Sequence, residues 1–121
     1  MLAKANRITR GADYRATVRR GARFSGTNTV AYVRPNPDSD VVRFGFIVSK
    51  AVGVAVRRNL VRRRLKAAAY DLLPRFGEGG VDVVIRALPA SAQASWASLH
   101  EEVSRVADRS AARRSPRPSH Q

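Results

Sequence analysis

The chain has 121 residues, 44% of them hydrophobic, which suffices for one modest core and argues against two independent domains. Its 23 Lys and Arg face only 9 Asp and Glu, for a formal charge of +14; a compact state resists that self-repulsion poorly, so a polyanion, nucleic acid first, is the expected partner. Cysteine is absent and the two histidines, His100 and His120, lie far apart, which excludes disulfides, thiolate chemistry and Cys/His zinc sites, and no apolar run approaches the roughly 20 residues of a membrane span.

Residues 1–8 lack periodicity and are expected to form an extended arm, in which Lys4 and Arg7, with Arg10 and Arg15 beyond, interrupt any signal-like apolar stretch. From Thr9, a plausible N-cap, the pattern turns helical. Ala12, Ala16 and Val18 share a side, Tyr14 flanks it, Arg15, Arg19 and Arg20 charge the rest, and Gly21 ends the helix. Residues 23–34 are rich in Phe, Thr, Val and Tyr, as strands are, and Pro35-Asn36-Pro37-Asp38 ends them. Residues 41–49 read as a second strand, with Phe44, Phe46 and Val48 on one face and Arg43, Gly45, Ile47 and Ser49 on the other. A hairpin through the Pro-rich turn is expected to pair the two strands.

Residues 54–73 are the most informative. On a helix, Val54, Val61, Leu65, Ala68 and Leu72 form a narrow stripe that can pack on a sheet. Asn59, Arg63, Lys66 and Tyr70 point away from it, Arg62 lies beside them, and Arg57, Arg58 and Arg64 take the flanks. Solvated helix faces usually mix signs, yet no acidic residue occurs from Val41 through Tyr70, so no i,i+4 salt bridges explain these cations and they are free for phosphates.

The turn through Gly77, Gly79 and Gly80 lacks the Lys-Ser or Lys-Thr of a phosphate loop. It leads into a short β-branched strand over residues 81–86, so that strand, helix and strand suggest a crossover unit. Ser95 is a plausible N-cap for a last helix to about Arg109, with Trp96, Leu99, Val103 and Val106 as its apolar, core-facing side. Asp38 and Asp40 in the turn, and Glu101 and Glu102 on the last helix, read as solvated surface charge, so neither a catalytic residue nor a metal site is assigned to the protein. One domain over residues 1–108 and a disordered basic tail over 109–121 are expected.

Phe46-Ile47-Val48-Ser49-Lys50-Ala51-Val52-Gly53, followed by Ala55-Val56-Arg57-Arg58-Asn59 and Arg62-Arg63-Arg64-Leu65, resembles the signature of the protein subunit of bacterial ribonuclease P. There a Val-Ser-Lys-Lys-x-Gly-x-Ala-Val stretch runs into an Arg-Asn-Arg helix. Asn6-Arg7-Ile8, Asp13-Tyr14, Gly21 and Asp82 match further positions, and the likeness spans about residues 2–108. Leu60 stands where the trio has its second arginine, Ala51 where a second lysine follows the strand, Tyr14 for a usual Phe, and Val18 at a position often aromatic.

The resemblance implies an α/β sandwich of order αβββαβα, with a central mixed sheet and a left-handed crossover carrying the basic helix, where general rules favour a right-handed one. It implies a cytoplasmic endoribonuclease holoenzyme that removes the 5′ leader of precursor tRNA, with catalysis and Mg2+ belonging mainly to the RNA subunit. On this basis Arg58, Asn59, Arg62, Arg63 and Lys66 would contact the catalytic RNA, with Lys50 and Arg57 as auxiliaries. Tyr14, Val18, Phe24 and Tyr32 would line a cleft for the single-stranded leader, although Tyr32 reads equally as a half-buried sheet residue. Guanidinium forks suit phosphates, and aromatic faces suit unstacked bases. A general ribosomal-type RNA-binding protein is the alternative; a membrane or a small-molecule substrate is not expected.

Overall fold

Two runs of apolar, β-branched residues demand burial on both faces, and they form the middle of the sheet. The computed structural model describes residues 2–114. Among them, the elements run α1 (Gly11–Arg20), β1 (Ala22–Ser25), β2 (Thr29–Pro35), β3 (Val42–Ile47), α2 (Ala55–Leu72), β4 (Val81–Ala87) and α3 (Trp96–Arg114), which is the αβββαβα order expected. The sheet has the strand order β1-β2-β4-β3. β2 is antiparallel to β1 and β4, while β3 is parallel to β4, with α2 as the connection between those neighbours.

Two expectations about the strands fail. Residues 23–34 are not one strand, because a tight turn in which the Gly26 N–H donates to Thr29 O (2.8 Å) folds β1 back on β2. The hairpin between residues 23–34 and 41–49 does not form either, because β4 is inserted between them. β4 is buried at six of its seven positions, so it needs neighbours on both sides. The Pro-rich turn is wide enough to pass its end: the Asn36 N–H donates to Gly80 O (2.9 Å). A β carbon at position 80 would collide with the carbonyl oxygens of Asn36 and Ser39, which is why glycine stands there.

The sheet separates two apolar clusters. The larger lies under α2 and α3 and contains Phe44, Val61, Leu65, Phe76, Ile85, Leu99 and Val103, with Phe24 and Phe46 packed on it. The smaller lies under α1 and contains Ile8, Val30, Tyr32 and Val84, with Tyr14, Val18, Ile47 and Leu88 against it. Strand alternation produces this division, since Phe44 and Ile47 belong to opposite faces of β3.

Several helix details differ from expectation. The N-cap of α1 is Arg10, without a side-chain cap, rather than Thr9. Its buried residue is Thr17, whose hydroxyl donates to Asp13 O (2.8 Å), whereas Ala12 is exposed. Gly21 does end α1, but at φ −73; its role is close approach, since a β carbon there would lie 3.0 Å from Val33 N. α2 buries Val61, Leu65, Ala68, Ala69 and Leu72, but Val54 is its N-cap and is 75% exposed instead of joining the stripe. Ser95 caps α3 as expected, accepting the Ser98 N–H at 3.0 Å. Trp96 is 41% exposed and lies beside the His100 ring rather than in the core. α3 continues past Arg109 to Arg114; the rest of the expected tail, residues 115–121, lies outside the described residues.

Glu102 corrects the reading of the acids as surface charge. It is 7% exposed and accepts from the backbone N–H of Asn28 (3.0 Å), from Asn28 Nδ2 (2.7 Å) and from the Thr29 hydroxyl (2.8 Å). The N-terminal arm is also more ordered than an extended tail. After a short 3-10 turn at Lys4–Asn6, Arg7 bridges in parallel to Phe44, the Ile8 N–H donates to Phe44 O (2.8 Å) and Asn6 Nδ2 donates to Val42 O (2.8 Å). The arm thereby covers part of the free edge of β3.

Candidate nucleic-acid interface

The segment 49–54 sets the entry of α2. A 3-10 turn at Lys50–Val52 ends at Gly53, whose φ of 148 is open to glycine and strained for other residues. Val52 is buried while Lys50 is exposed, so the lysine extends the cationic surface at the start of α2. On the helix, the buried stripe fixes the rotation. Arg57, Asn59 and Arg63 are exposed, and Arg58, Arg62 and Lys66 are half-buried on the flanks. Arg62 donates to Asn59 Oδ1 (3.0 Å), and Arg58 Nε is buried without a hydrogen-bond partner among the described residues.

No ion pair among the described residues joins Arg57, Arg58, Arg62, Arg63 or Lys66 to a carboxylate. Those ion pairs lie elsewhere, so the run without acids from Val41 to Tyr70 is matched by the lack of an ion pair at these five cations among the described residues. Arg64 turns toward the protein instead: its guanidinium donates to Ala94 O (3.0 Å) and braces the loop before α3.

On the opposite face of the sheet, α1 and the strands enclose an open groove of about 480 Å³, lined by Tyr14, Val18 and Ile47 with Arg15, Arg19 and Arg86. Tyr14 is held by its hydroxyl, which accepts the Phe46 N–H at 3.3 Å. Arg86 stands 6.0 Å from the centroid of the Tyr32 ring, within cation–π range. Apolar and aromatic surface flanked by guanidinium groups is what single-stranded nucleic acid requires, because bases stack while phosphates pair.

Of the four residues assigned to this wall, Tyr14, Val18 and Tyr32 do meet on the α1 side. Tyr32 is only 8% exposed, so it supports Arg86 more than it offers a face of its own. Phe24 is not with them. It pairs across from Ala31, one register step from Tyr32, and so faces α3, where Arg109 stands 5.8 Å over its ring. A one-residue step along a strand reverses the face. Arg86, Ile47, Arg15 and Arg19 were not singled out from sequence. Arg86 carried a signal, being the single cation in an otherwise buried β-branched strand.

At one end of this face a buried ion cluster ties α1 to the sheet. Asp82 is 0% exposed; it accepts from Arg43 Nε (2.9 Å) and Nη2 (2.8 Å), Arg34 Nη2 (3.2 Å) and Asn36 Nδ2 (3.2 Å). Arg43 also reaches Asp13 of α1 at 3.5 Å. The hydrogen bonds to Asp82 hold the Arg43 proton more firmly than in a free guanidinium, against the cost of partial burial. Asp82 and Glu102 are both occupied by partners within the protein, and no group of three acids or histidines that suits a metal ion occurs among the described residues.

The family profile described as Ribonuclease P matches residues 2–111. The chain is similar to the ribonuclease P protein component of Clavibacter michiganensis subsp. michiganensis, 49% identical over 109 residues, covering 90% of this chain and 96% of that protein. It is also similar to that of Mycobacteroides abscessus, 42% identical over 122 residues, covering 96% and 95%. Among solved structures, the RNase P protein of Staphylococcus aureus superposes with a TM-score of 0.76 at 24% identity, over 85% of this chain and 93% of the other. That of Thermotoga maritima gives 0.75 at 20%, over 85% and 96%. A profile match over residues 2–111, relatives matched over most of both chains and a shared fold agree, and the chain belongs to the ribonuclease P protein family.

Proposed function

We propose that this chain docks on the catalytic RNA of ribonuclease P through the outer face of α2, and holds the single-stranded 5′ leader of precursor tRNA in the groove under α1. In this reading Arg57, Arg58, Asn59, Arg62, Arg63, Lys66 and Lys50 meet the folded RNA's phosphates. Tyr14, Val18 and Ile47 receive leader bases, and Arg15, Arg19 and Arg86 follow the leader backbone. The observation that carries it is the set of α2 cations with no carboxylate partner among the described residues, on the opposite side of the sheet from a groove of the right chemistry.

The reaction is hydrolysis of one phosphodiester bond, with water's oxygen joining the phosphorus and the 5′ phosphate staying on the mature tRNA. The RNA subunit carries out this step with its own Mg2+; the protein binds and orients substrate, and contributes neither a nucleophile nor a general base. The holoenzyme works in the cytoplasm; no helix among the described residues is long and apolar enough to cross a membrane.

Reconstitution tests this directly. Protein alone, cognate RNA alone in low magnesium, and the two together are assayed on precursor tRNA. Cleavage only in the combined sample is expected. Cleavage by protein alone, or binding to RNA without stimulation, as a general ribosomal-type protein would give, rejects the reading.

A further inference from the structure

A second recess, distinct from the leader groove, opens between the N-terminal arm, the edge of β3 and α2. Its volume is about 320 Å³, within the size range of small-ligand sites. Leu2, Ile8, Phe44 and Phe46 form its walls, with Tyr14 at one side. The two phenylalanine rings are nearly parallel, 13° apart in plane with centroids at 6.2 Å. Arg7 holds the arm in place, donating from Nε and Nη2 to Leu2 O at 3.3 and 3.1 Å, so Leu2 is buried as part of the wall.

The mouth is cationic. Arg63 and Lys66 of α2 and Arg7 of the arm stand on it, together with the exposed Ala67, and no carboxylate lines it among the described residues. An apolar slot with aromatic walls suits the flat face of a nucleobase, and a ring of cations at the entrance suits the phosphates on either side of it. A lipid chain would also suit the slot, but the recess is continuous with the α2 cation face, where a phosphate backbone is already expected.

We propose that this recess captures one unstacked nucleotide of the catalytic RNA, with its base against Phe46 and Tyr14 and its flanking phosphates on Arg63 and Lys66. The inference rests on α2 being the RNA-docking face and adds a base-insertion point to it. Because Tyr14 lines both this recess and the leader groove, the captured nucleotide and the leader share a wall.

The test is to plug the recess without removing a cation. Ala67→Phe places a ring at the mouth from an exposed helix position, and Ala67→Ser serves as the size control; circular dichroism and thermal melting verify that both variants fold. Affinity for the cognate catalytic RNA should fall with Ala67→Phe by about tenfold to a hundredfold, the range expected for one lost base–aromatic stack, and stay unchanged with Ala67→Ser. A scan of single abasic sites in that RNA should then reveal one position whose base removal weakens wild-type binding but not binding by Ala67→Phe. Unchanged affinity for Ala67→Phe, or a loss that no single abasic site absorbs, overturns the proposal. Arg62, which does not line the recess, separates the two ideas. If Arg62→Ala lowers the salt dependence while Ala67→Phe is silent, the docking face stands and the recess falls; if Arg62→Ala leaves the salt dependence unaltered, the docking face itself is wrong.

Discussion

Gly45 lies directly beneath the ring of Tyr14: a β carbon at position 45 would stand 2.8 Å from the tyrosine hydroxyl and closer still to the ring. The strand backbone is bare at this point so that an aromatic side chain from α1 can lie on it, with its hydroxyl taking the outward-facing N–H of Phe46. Gly45→Ala should therefore push Tyr14 out of the groove. We expect a selective loss of affinity for precursor over mature tRNA, close to that of Tyr14→Ala, with about 1–3 kcal/mol at stake for one stacked base. Equilibrium binding of the two tRNAs by the reconstituted holoenzyme measures it, and equal losses for both would contradict the leader role.

On α2, Arg62 and Arg63 have no carboxylate partner among the described residues, so replacing them removes little from the folded protein. Arg62→Ala with Arg63→Ala should weaken binding to the catalytic RNA and reduce the steepness of its salt dependence by about one to two units, the signature of fewer displaced counterions. Binding titrations across a salt series check this.

Asp82 behaves differently from the surface charges. Its removal strands Arg34 and Arg43 beside a buried site, so Asp82→Ala should cost about 3 kcal/mol of folding stability, at the lower end for a broken buried pair because the arginine side chains are partly exposed. Urea denaturation measures it. α1 should also loosen, since Arg43 links Asp82 to Asp13.

Glu102 fastens α3 to the start of β2 through Asn28 and Thr29. Glu102→Ala leaves those donors buried without an acceptor and should cost about 2–3 kcal/mol. Its neighbour Glu101 is exposed and pairs with Arg105 one turn away, so Glu101→Ala should change stability by less than about 0.5 kcal/mol. The same denaturation experiment distinguishes the adjacent glutamates.

The sequence by itself determined what is local or periodic. The stripe Val61, Leu65, Ala68 and Leu72 specified which side of α2 packs on the sheet and hence which side carries the cations, because helical spacing converts residue number into angle. The run without acids from Val41 to Tyr70 already said that those cations have no local partners, and the Val48–Asn59 signature pointed to the family. Only the tertiary structure decided what depends on distant segments. β4 entered the sheet between β2 and β3 because it must be covered on both faces, which no reading of the turn at Pro35–Asp38 discloses. Strand register placed Phe24 with α3 and Tyr32 with α1, and the same long-range pairing buried Asp82 and Glu102 among partners tens of residues away. A charged residue's burial is set by what folds over it, and that information lies in no single stretch of the chain.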